Sequence, residues 1–280
     1  HYDSQPYENG PLRVQLQTAS SLLRDLWRHV RAGGPPRYLA LPTSLEHQAA
    51  RFLSDLGVGA GDRFVTVHMR ESSYLAAHRY HAFRNITPAH YEPAIRHLLE
   101  QGTWVFRLGD KQSTRFGIEH PRFVDLPFLE GYEDFMDVVL LAKARFAICC
   151  SSGPEGPVRA FGTPMLLVNA ILEQQSFLNP RDVIQFKSYV DDHSAQPIPY
   201  ATLLDRGISG YSLASQFEEA QVSLRENSAK DILAAVKEMQ ARLDGAFDAD
   251  PCIDQTFRAA NEAFLARIEA LFDRIMAQDG

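Results

Sequence analysis

The sequence predicts an α/β protein built on a doubly wound parallel sheet, with helical extensions at its N- and C-terminal ends. Two observations predict this class. From residue 63 onward, short runs rich in β-branched and aromatic residues alternate with helical segments of roughly 8–14 residues, an order typical of βαβ units. The short runs are also apolar almost throughout, as expected for strands that are buried on both faces of a sheet.

The strands of the central region are expected over residues 64–69, 103–108, 123–126, 146–150 and 165–168. The helix after the first strand has clear ends, because Thr87 and Pro88 form an N-cap and a first-turn proline and Gly102 closes the helix. Further helices are expected over 133–144 and 154–161. A loop-rich stretch follows Asn169.

Apolar residues at helical spacing predict further helices over 14–30, 44–56, 228–243 and 250–276. In the third of these, Ser228 and Asp231 form a capping box. The expected organisation is a helical segment over 1–60, the sheet domain over 61–210, and C-terminal helices over 211–280. The glycines of residues 57–61 come before a strand rather than after one, which is the wrong order for a dinucleotide loop, so they indicate the end of a helix.

Composition restricts the kinds of partner that this chain is expected to have. Its 280 residues carry 28 Lys and Arg against 35 Asp and Glu, a formal net charge of −7. This balance argues against a broad nucleic-acid surface, which needs a basic face. No apolar run approaches the roughly 18–20 residues of a membrane-spanning helix. The 3 cysteines do not make a disulfide framework and indicate free thiols, so we expect a cytoplasmic protein. The sequence does not indicate an oligomeric state.

Polar residues gather where the predicted strands end. His68, Arg70 and Glu71 follow the first strand. Arg107, Gly109 and Asp110 end the second strand, and Ser151, Ser152 and Gly153 follow the fourth. Ligands of open parallel sheets bind outside the carboxyl ends of the strands, so we expect these residues on one rim.

The Ser-Ser-Gly turn of residues 151–153 suits a phosphate group, because a strand that enters a helix through small residues presents backbone N–H groups. Arg70 and Arg107 favour the same ligand, since a guanidinium matches phosphate with two parallel hydrogen bonds. The alternative is an ordinary strand-to-helix turn with a serine cap and two surface arginines.

Three other patterns suggest different chemistry. Residues 149–153 approximate a nucleophile elbow centred on Ser151, with Asp182 and His193 following in the order of a hydrolase triad. The Asp-Ala-Asp of residues 248–250 mimics a metal-binding motif but precedes a proline, which favours helix capping. His78 and His81 lack a third ligand for zinc.

Five stretches of the chain carry a family resemblance: VTVHMRESSY, RNITPAHYEPAIRHLLEQGTWVFRLGD, DFMDVVLLAKARFAICCSSG, AFGTPMLLVN and RENSAKDILAAVKEM. They resemble a family of bacterial glycosyltransferases and are similar, more distantly, to the sugar-nucleotide half of fucosyltransferases with a GT-B fold. The match spans residues 63–243. It implies a Rossmann-like nucleotide-sugar domain, with residues 1–60 as a remnant of an acceptor domain.

The resemblance implies a role for each matching residue. Arg70 grips the donor diphosphate, and residues 151–153 hold phosphate and ribose. The other implied substrate-binding residues are Arg84, Asn85, Arg107, Gly109, Asp110 and Lys187. An acceptor hydroxyl must lose its proton to a carboxylate or histidine, for which Glu71 is the first candidate and His68 the second. The alternative for Glu71 is an ion pair with Arg70 or Arg84.

The expected function is therefore a glycosyltransferase that moves a sugar from a nucleotide-sugar to a glycan or protein acceptor without a metal or other cofactor. The resemblance also implies inversion at the anomeric carbon and favours a GDP-linked donor. Two alternatives stay open: a non-catalytic nucleotide-sugar-binding module, and a serine hydrolase that uses Ser151.

Overall fold

The computed structural model describes residues 39–71, 79–172 and 181–248 continuously, together with residues 5–9 and 12–16 and isolated positions near both ends. Within these residues the strands are β1 (Gln5–Asn9), β2 (Leu12–Leu16), β3 (Phe64–His68), β4 (Trp104–Leu108), β5 (Phe123–Asp125), β6 (Phe146–Cys149), β7 (Met165–Ala170), β8 (Val183–Phe186), β9 (Ser188–Asp191) and β10 (Val222–Arg225). The α-helices are α1 (Thr43–Asp55), α2 (Glu92–Glu100), α3 (Met136–Lys143), α4 (Glu155–Phe161), α5 (Tyr200–Asp205), α6 (Ala214–Glu219) and α7 (Ala229–Leu243).

Six strands form one parallel sheet in the order β5-β4-β3-β6-β7-β8. The first strand of this sheet, β3, lies near its centre. The chain continues with β4 and β5 on one side of β3, and then with β6, β7 and β8 on the other side. This arrangement confirms the predicted α/β class with a parallel sheet and is consistent with a Rossmann-like fold. The five predicted strands correspond to β3 to β7.

Helices cover both faces of this sheet. Val65 and Val67 of β3 belong to an apolar cluster with α2 and α7. Phe64 of the same strand belongs to a second cluster with α1, α3 and α4. Alternate residues of each strand serve opposite faces, which explains why the strands are apolar throughout.

The predicted end of α2 and the predicted start of α7 are confirmed. The predicted start of α2 is wrong, because Thr87 precedes a short 3-10 helix (Pro88–Tyr91), its side chain forms no cap, and α2 itself begins at Glu92. Ser228 Oγ accepts the N–H of Asp231 at 3.2 Å, and the Asp231 carboxylate accepts the N–H of Ser228 at 3.0 Å. Gly102, just after α2, has a φ of 75°, a backbone conformation that glycine adopts without a steric penalty. Gly57 follows α1 with a φ of 86°, as expected for a helix stop.

The N-terminal prediction is wrong at its start. Residues 14–16 lie in β2, which pairs antiparallel with β1, and not in a helix. Leu12, Val14 and Leu16 alternate with polar residues, a strand period that competes there with the helical one. Apart from residues 29 and 30, which are helical, the rest of the predicted helix lies outside the described residues. The predicted helix over 250–276 also falls almost entirely outside them.

The stretch after Asn169 is more ordered than predicted. It contains β8, and β9 pairs antiparallel with β10 in a second small sheet. Tyr189, Phe217 and Val222 belong to a separate apolar cluster around this small sheet, which joins residues on both sides of the predicted boundary at 210. Among the helices of the described ranges, none has the length and apolar character needed to cross a membrane.

Candidate functional site

The reversal of strand order between β3 and β6 determines where a ligand can enter the carboxyl edge of the sheet. The chain goes from β3 toward β4 and from β6 toward β7, and ligands of open parallel sheets bind between the loops that follow two such strands. We call this position, bordered by residues 68–70 and 150–153, the switch-point crevice. The N–H of Arg70 donates to Cys150 Sγ at 3.2 Å. Burial raises the pKa of this thiol to about 12, so the sulfur accepts the hydrogen bond as a neutral group.

The predicted Arg84–Asn85 element lies beside Arg70. The N–H of Ile86 donates to the carbonyl of Arg70 at 3.0 Å. The element is also held from the other half of the sheet, because Lys187 Nζ donates to the carbonyls of Phe83 at 2.9 Å and Asn85 at 2.7 Å. Arg84 therefore lies between two residues, Phe83 and Asn85, whose carbonyl groups are held by Lys187.

Lys187 is 4% exposed, and its burial lowers the pKa of the ammonium group. Its two carbonyl bonds account for much of its donor capacity, since an ammonium has three N–H groups. The structure thus places Lys187 behind the crevice, where it positions Arg84 and Asn85, rather than in the open space where a direct substrate contact was predicted.

Arg107 does not line an open pocket. Its side chain is 0% exposed and lies between two carboxylates. Nη2 donates to Glu71 Oε1 at 2.5 Å, and Nη1 donates to Asp125 Oδ1 at 2.7 Å. A buried guanidinium needs this pairing because an isolated charge in the interior is costly. The predicted role of Arg107 in binding a nucleotide has no geometric support here.

Glu71 is fully engaged by the same network. One oxygen receives Arg107, and the other accepts the N–H of Thr114 at 2.9 Å. The side chain is 7% exposed. The ion pair weighed as the alternative for Glu71 therefore exists, but with Arg107 instead of Arg70 or Arg84. A carboxylate held in this way is poorly placed to accept a substrate proton, because its oxygens already have donors.

His68 is the other predicted base. It ends β3 and is partly exposed, and its buried Nδ1 has no hydrogen-bond partner within the described part of the chain. Burial, together with the charges of Arg107 and Arg70, lowers the pKa of the imidazole to about 4. The ring is therefore neutral near pH 7, with a nitrogen able to accept a proton.

The Ser-Ser-Gly turn follows β6 as predicted, but much of its hydrogen-bonding capacity is used internally. Ser151 is 0% exposed, and its Oγ accepts the N–H of Ile171 at 3.1 Å. The N–H of Ser152 donates to Glu155 Oε1 at 3.0 Å. Of the three residues, Gly153 alone is exposed. A carboxylate of the protein thus occupies one of the donors that we expected a phosphate to use.

Glu155 is 5% exposed and also pairs with Arg159, at 3.1 Å. Burial raises the pKa of its carboxyl group, while the charges of Arg159 and Arg84 act in the opposite direction. The N–H of Ile86 binds the carbonyl of Arg70, so the segment that carries Arg84 runs beside Arg70. Two arginines thus belong to the segments that border the crevice.

Gly109 and Asp110 form a turn after β4, one strand away from the crevice. Asp110 Oδ1 accepts the N–H of Gln112 at 2.7 Å, and its carbonyl accepts the N–H of Ser113 at 3.0 Å. These contacts describe a local turn and do not join the residues to Arg70.

The hydrolase triad is not assembled. Asp182 Oδ1 accepts the N–H of Met165 at the start of β7, whereas Ser151 follows the carboxyl end of β6. His193 is exposed and its ring contacts Gln221. The length of a strand separates the serine from the acid, so the three groups lack the contacts that a triad requires. His78, Ala249 and Asp250 lie outside the described residues.

Sequence reasoning missed several residues that hold the site together. Asn169 and Asn227 exchange hydrogen bonds, each side-chain oxygen accepting the other's N–H, at 2.6 and 2.7 Å. Glu226 accepts the N–H of Thr87 at 2.7 Å. The partners are 58 and 139 residues apart, so no local pattern could reveal them. Glu155 did have a local signal, because an acid in the first turn of a helix suits its N-terminus.

Replacing Arg107 by Met is expected to destabilise the fold by about 3–5 kcal/mol, because two buried carboxylates lose their shared cation. The measurement is urea denaturation of the purified variant. Adding Glu71→Gln to Arg107→Met should restore part of the loss by removing one of the stranded charges. If Arg107→Met is as stable as the parent chain, the network does not have the structural role described here.

The low pKa of His68 predicts a specific loss of stability in acid. The unfolded imidazole has a pKa of about 6.5 and the folded one about 4, so between these values protons bind the unfolded chain preferentially. Stability should fall as the pH drops through this window, by up to about 3 kcal/mol. Urea denaturation at pH 7 and pH 4.5 measures this change, and His68→Asn should show a smaller fall. Parallel pH profiles of the two proteins would contradict the assignment.

Within the described ranges no three His, Cys, Asp or Glu side chains are grouped closely enough to hold a metal ion. Comparison of the chain with protein-family models, with curated proteins and with solved structures gives no match in any of the three. The hydrogen bonds and burial of the residues around the switch-point crevice are therefore the basis for considering function.

Proposed function

We propose that this protein is a glycosyltransferase that moves a sugar from a nucleotide-sugar donor to a glycan or protein acceptor without a metal ion. The observation that carries the proposal is the fixed position of Arg70 beside the neutral His68 at the switch point. The backbone of Arg70 is held on both sides, through its N–H by Cys150 and through its carbonyl by Ile86. The sequence resemblance assigns Arg70 to the donor diphosphate, and the strand order is consistent with the Rossmann-like fold that a nucleotide-sugar domain requires.

The proposed reaction separates charge in a way that suits these residues. The bond between the anomeric carbon and the donor phosphate breaks, and its electron pair leaves with the diphosphate. Arg70 and Arg84 would stabilise the negative charge that develops on the leaving group, in the way that preorganised donors stabilise an oxyanion. The acceptor oxygen forms the new bond to the anomeric carbon from the opposite face, which inverts its configuration.

His68 is the residue that we propose accepts the proton of the acceptor hydroxyl. It is neutral near pH 7, because its pKa lies at about 4. A base with so low a pKa removes a proton weakly, so departure of the diphosphate must be well advanced before the proton moves. Much of the rate enhancement would then come from the two arginines.

A second candidate function is favoured by one observation. Glu71, the first candidate for the base, has both carboxylate oxygens occupied by Arg107 and Thr114. A chain that retains the arginines but lacks an effective base would bind a nucleotide-sugar without transferring it. The two functions differ in turnover and in the effect of His68, which makes them separable.

The first test is calorimetric titration with GDP, UDP, CDP, CMP and ADP, each in EDTA and in magnesium. We expect one nucleotide to bind in EDTA, with GDP favoured by the resemblance. Arg70→Ala should weaken this binding by about 1.5–3 kcal/mol through loss of a charge-assisted contact, whereas the exposed Arg51→Ala should change it by no more than about 0.5 kcal/mol. Absence of binding by all five nucleotides would exclude the proposed function, and unchanged binding in Arg70→Ala would exclude this site.

The second test separates transfer from binding. With the nucleotide identified, hydrolysis of the corresponding nucleotide-sugar is followed for the parent chain and for His68→Asn. We expect His68→Asn to bind the nucleotide normally and to lose about 100-fold or more in turnover, the usual contribution of a general base. Binding without turnover in the parent chain would favour the binding module, and equal turnover in both proteins would exclude His68 as the base.

A further inference from the structure

A polar cavity lies at the edge of the sheet opposite the switch-point crevice, where the strands begin. It has a volume of about 420 Å³, and we call it the amino-edge pocket. Arg63, Thr103 and Arg145 line it and immediately precede β3, β4 and β6. Backbone hydrogen bonds align these positions, since Trp104 donates to the carbonyl of Arg63 at 3.0 Å and Arg145 donates to that of Phe64 at 2.9 Å. Parallel pairing of three neighbouring strands thus brings two arginines and a threonine to one place.

Two helices supply the remaining walls. Lys237, Gln240 and Asp244 line the pocket from the end of α7, at spacings that place them along one side of a helix. His97 and Gln101 come from α2 at a spacing of one turn. Gln240 connects the two helices, because its Oε1 lies 3.2 Å from His97 Nε2 and its Nε2 donates to Gln101 at 2.6 Å. The walls are therefore polar and linked to each other.

The charges of the pocket are unlike those of the protein as a whole. Arg63, Arg145 and Lys237 face the single carboxylate of Asp244, in a chain whose formal net charge is −7. Asp244 pairs with Arg145 and, at 3.6 Å, with Arg63. Each guanidinium has five N–H groups, so one shared carboxylate oxygen leaves most of their donors available.

The two arginines differ in a way that suits ligand capture. The side chain of Arg145 is 16% exposed, which fixes the guanidinium in the pocket wall. Arg63 and Asp244 are 64% and 51% exposed, so they lie at the open side. The C-terminal ends of α2 and α7, capped by Gln101 and Asp244, also lie here, and their partial negative charge reduces the positive excess of the side chains. A ligand with two negative charges would complement the excess that remains and accept parallel hydrogen bonds from an arginine.

We propose that the amino-edge pocket binds a dianionic phosphate group, carried either by inorganic phosphate or by a phosphomonoester. Arg145, Arg63 and Lys237 provide the positive charge, and the Thr103 hydroxyl is an additional donor. Asp244 competes with the ligand for the same guanidinium groups and so limits the affinity. This site is separate from the switch-point crevice and does not depend on the proposed function.

Calorimetric titration of the full chain with inorganic phosphate and with glycerol 3-phosphate, at low ionic strength, tests the proposal. Arg145→Gln and Lys237→Gln should each weaken phosphate binding about tenfold or more, as expected for loss of a charge-assisted contact. Asp244→Asn should tighten it, because the competing carboxylate is removed. Lys230→Gln is the matched control, since it removes the same charge from an exposed position of α7 outside the pocket and should leave the affinity unchanged.

Opposite effects of Asp244→Asn and Lys237→Gln would support the site even if Arg145→Gln failed to fold, because Lys237 is exposed. Tighter binding of glycerol 3-phosphate would identify an ester as the ligand, and equal binding would identify the phosphate group alone as sufficient. Absence of phosphate binding, or equal losses in Lys237→Gln and Lys230→Gln, would overturn the proposal. Loss of phosphate binding in Arg70→Ala would also overturn it, because the ligand would then lie in the switch-point crevice.

Discussion

The guanidinium of Arg107 lies inside the sheet domain with no exposed surface, and its charge constrains the carboxyl edge. A buried cation needs an opposite charge beside it. Glu71, which follows β3, and Asp125, at the end of β5, form ion pairs with Arg107. Each carboxylate also accepts a backbone N–H from the loop after β4. Three chain segments are thereby joined behind the crevice. His68 and Arg70 lie three residues and one residue before Glu71, so this network helps to fix their positions together with the strand that ends at His68.

The strands and the position of Arg70 could be predicted because both depend on local sequence. An apolar run bounded by polar residues identifies a strand, and the residues that follow it lie at the carboxyl edge. The surroundings of Arg107 could not be predicted, because the same rule ignores what lies beside a side chain. Its two partners are 36 and 18 residues away, and only the pairing of β3, β4 and β5 brings them together. Glu155 shows that a helix end is also hard to predict. The sequence indicates that the N–H groups of the turn before α4 are available to a ligand, but the N–H of Ser152 donates to the Glu155 carboxylate.

Both edges of the sheet bear arginines at strand ends, but the surroundings of those arginines differ. At the carboxyl edge, the buried Arg107 pairs with the carboxylates of Glu71 and Asp125. The backbone of Arg70 is held there by hydrogen bonds. At the amino edge Arg63 and Arg145 share one half-exposed carboxylate, that of Asp244. The two edges therefore differ in the number of acids for each arginine and in the burial of the ion pairs. The number of strand-end arginines alone does not show this difference.

Lys187 secures the carbonyls of Phe83 and Asn85 across 104 and 102 residues of sequence, and Glu226 secures Thr87 across 139. Contacts between such distant residues require both partners to be present and carry the entropic cost of closing a long loop. During synthesis from the N-terminus, β3 and the segment after it leave the ribosome well before either tether exists. The segment that carries Arg84 is therefore fully fixed only with residues from the last third of the chain. A nascent protein that contains only β3, β4 and β5 still lacks the Lys187 and Glu226 contacts that hold Arg84 beside the crevice.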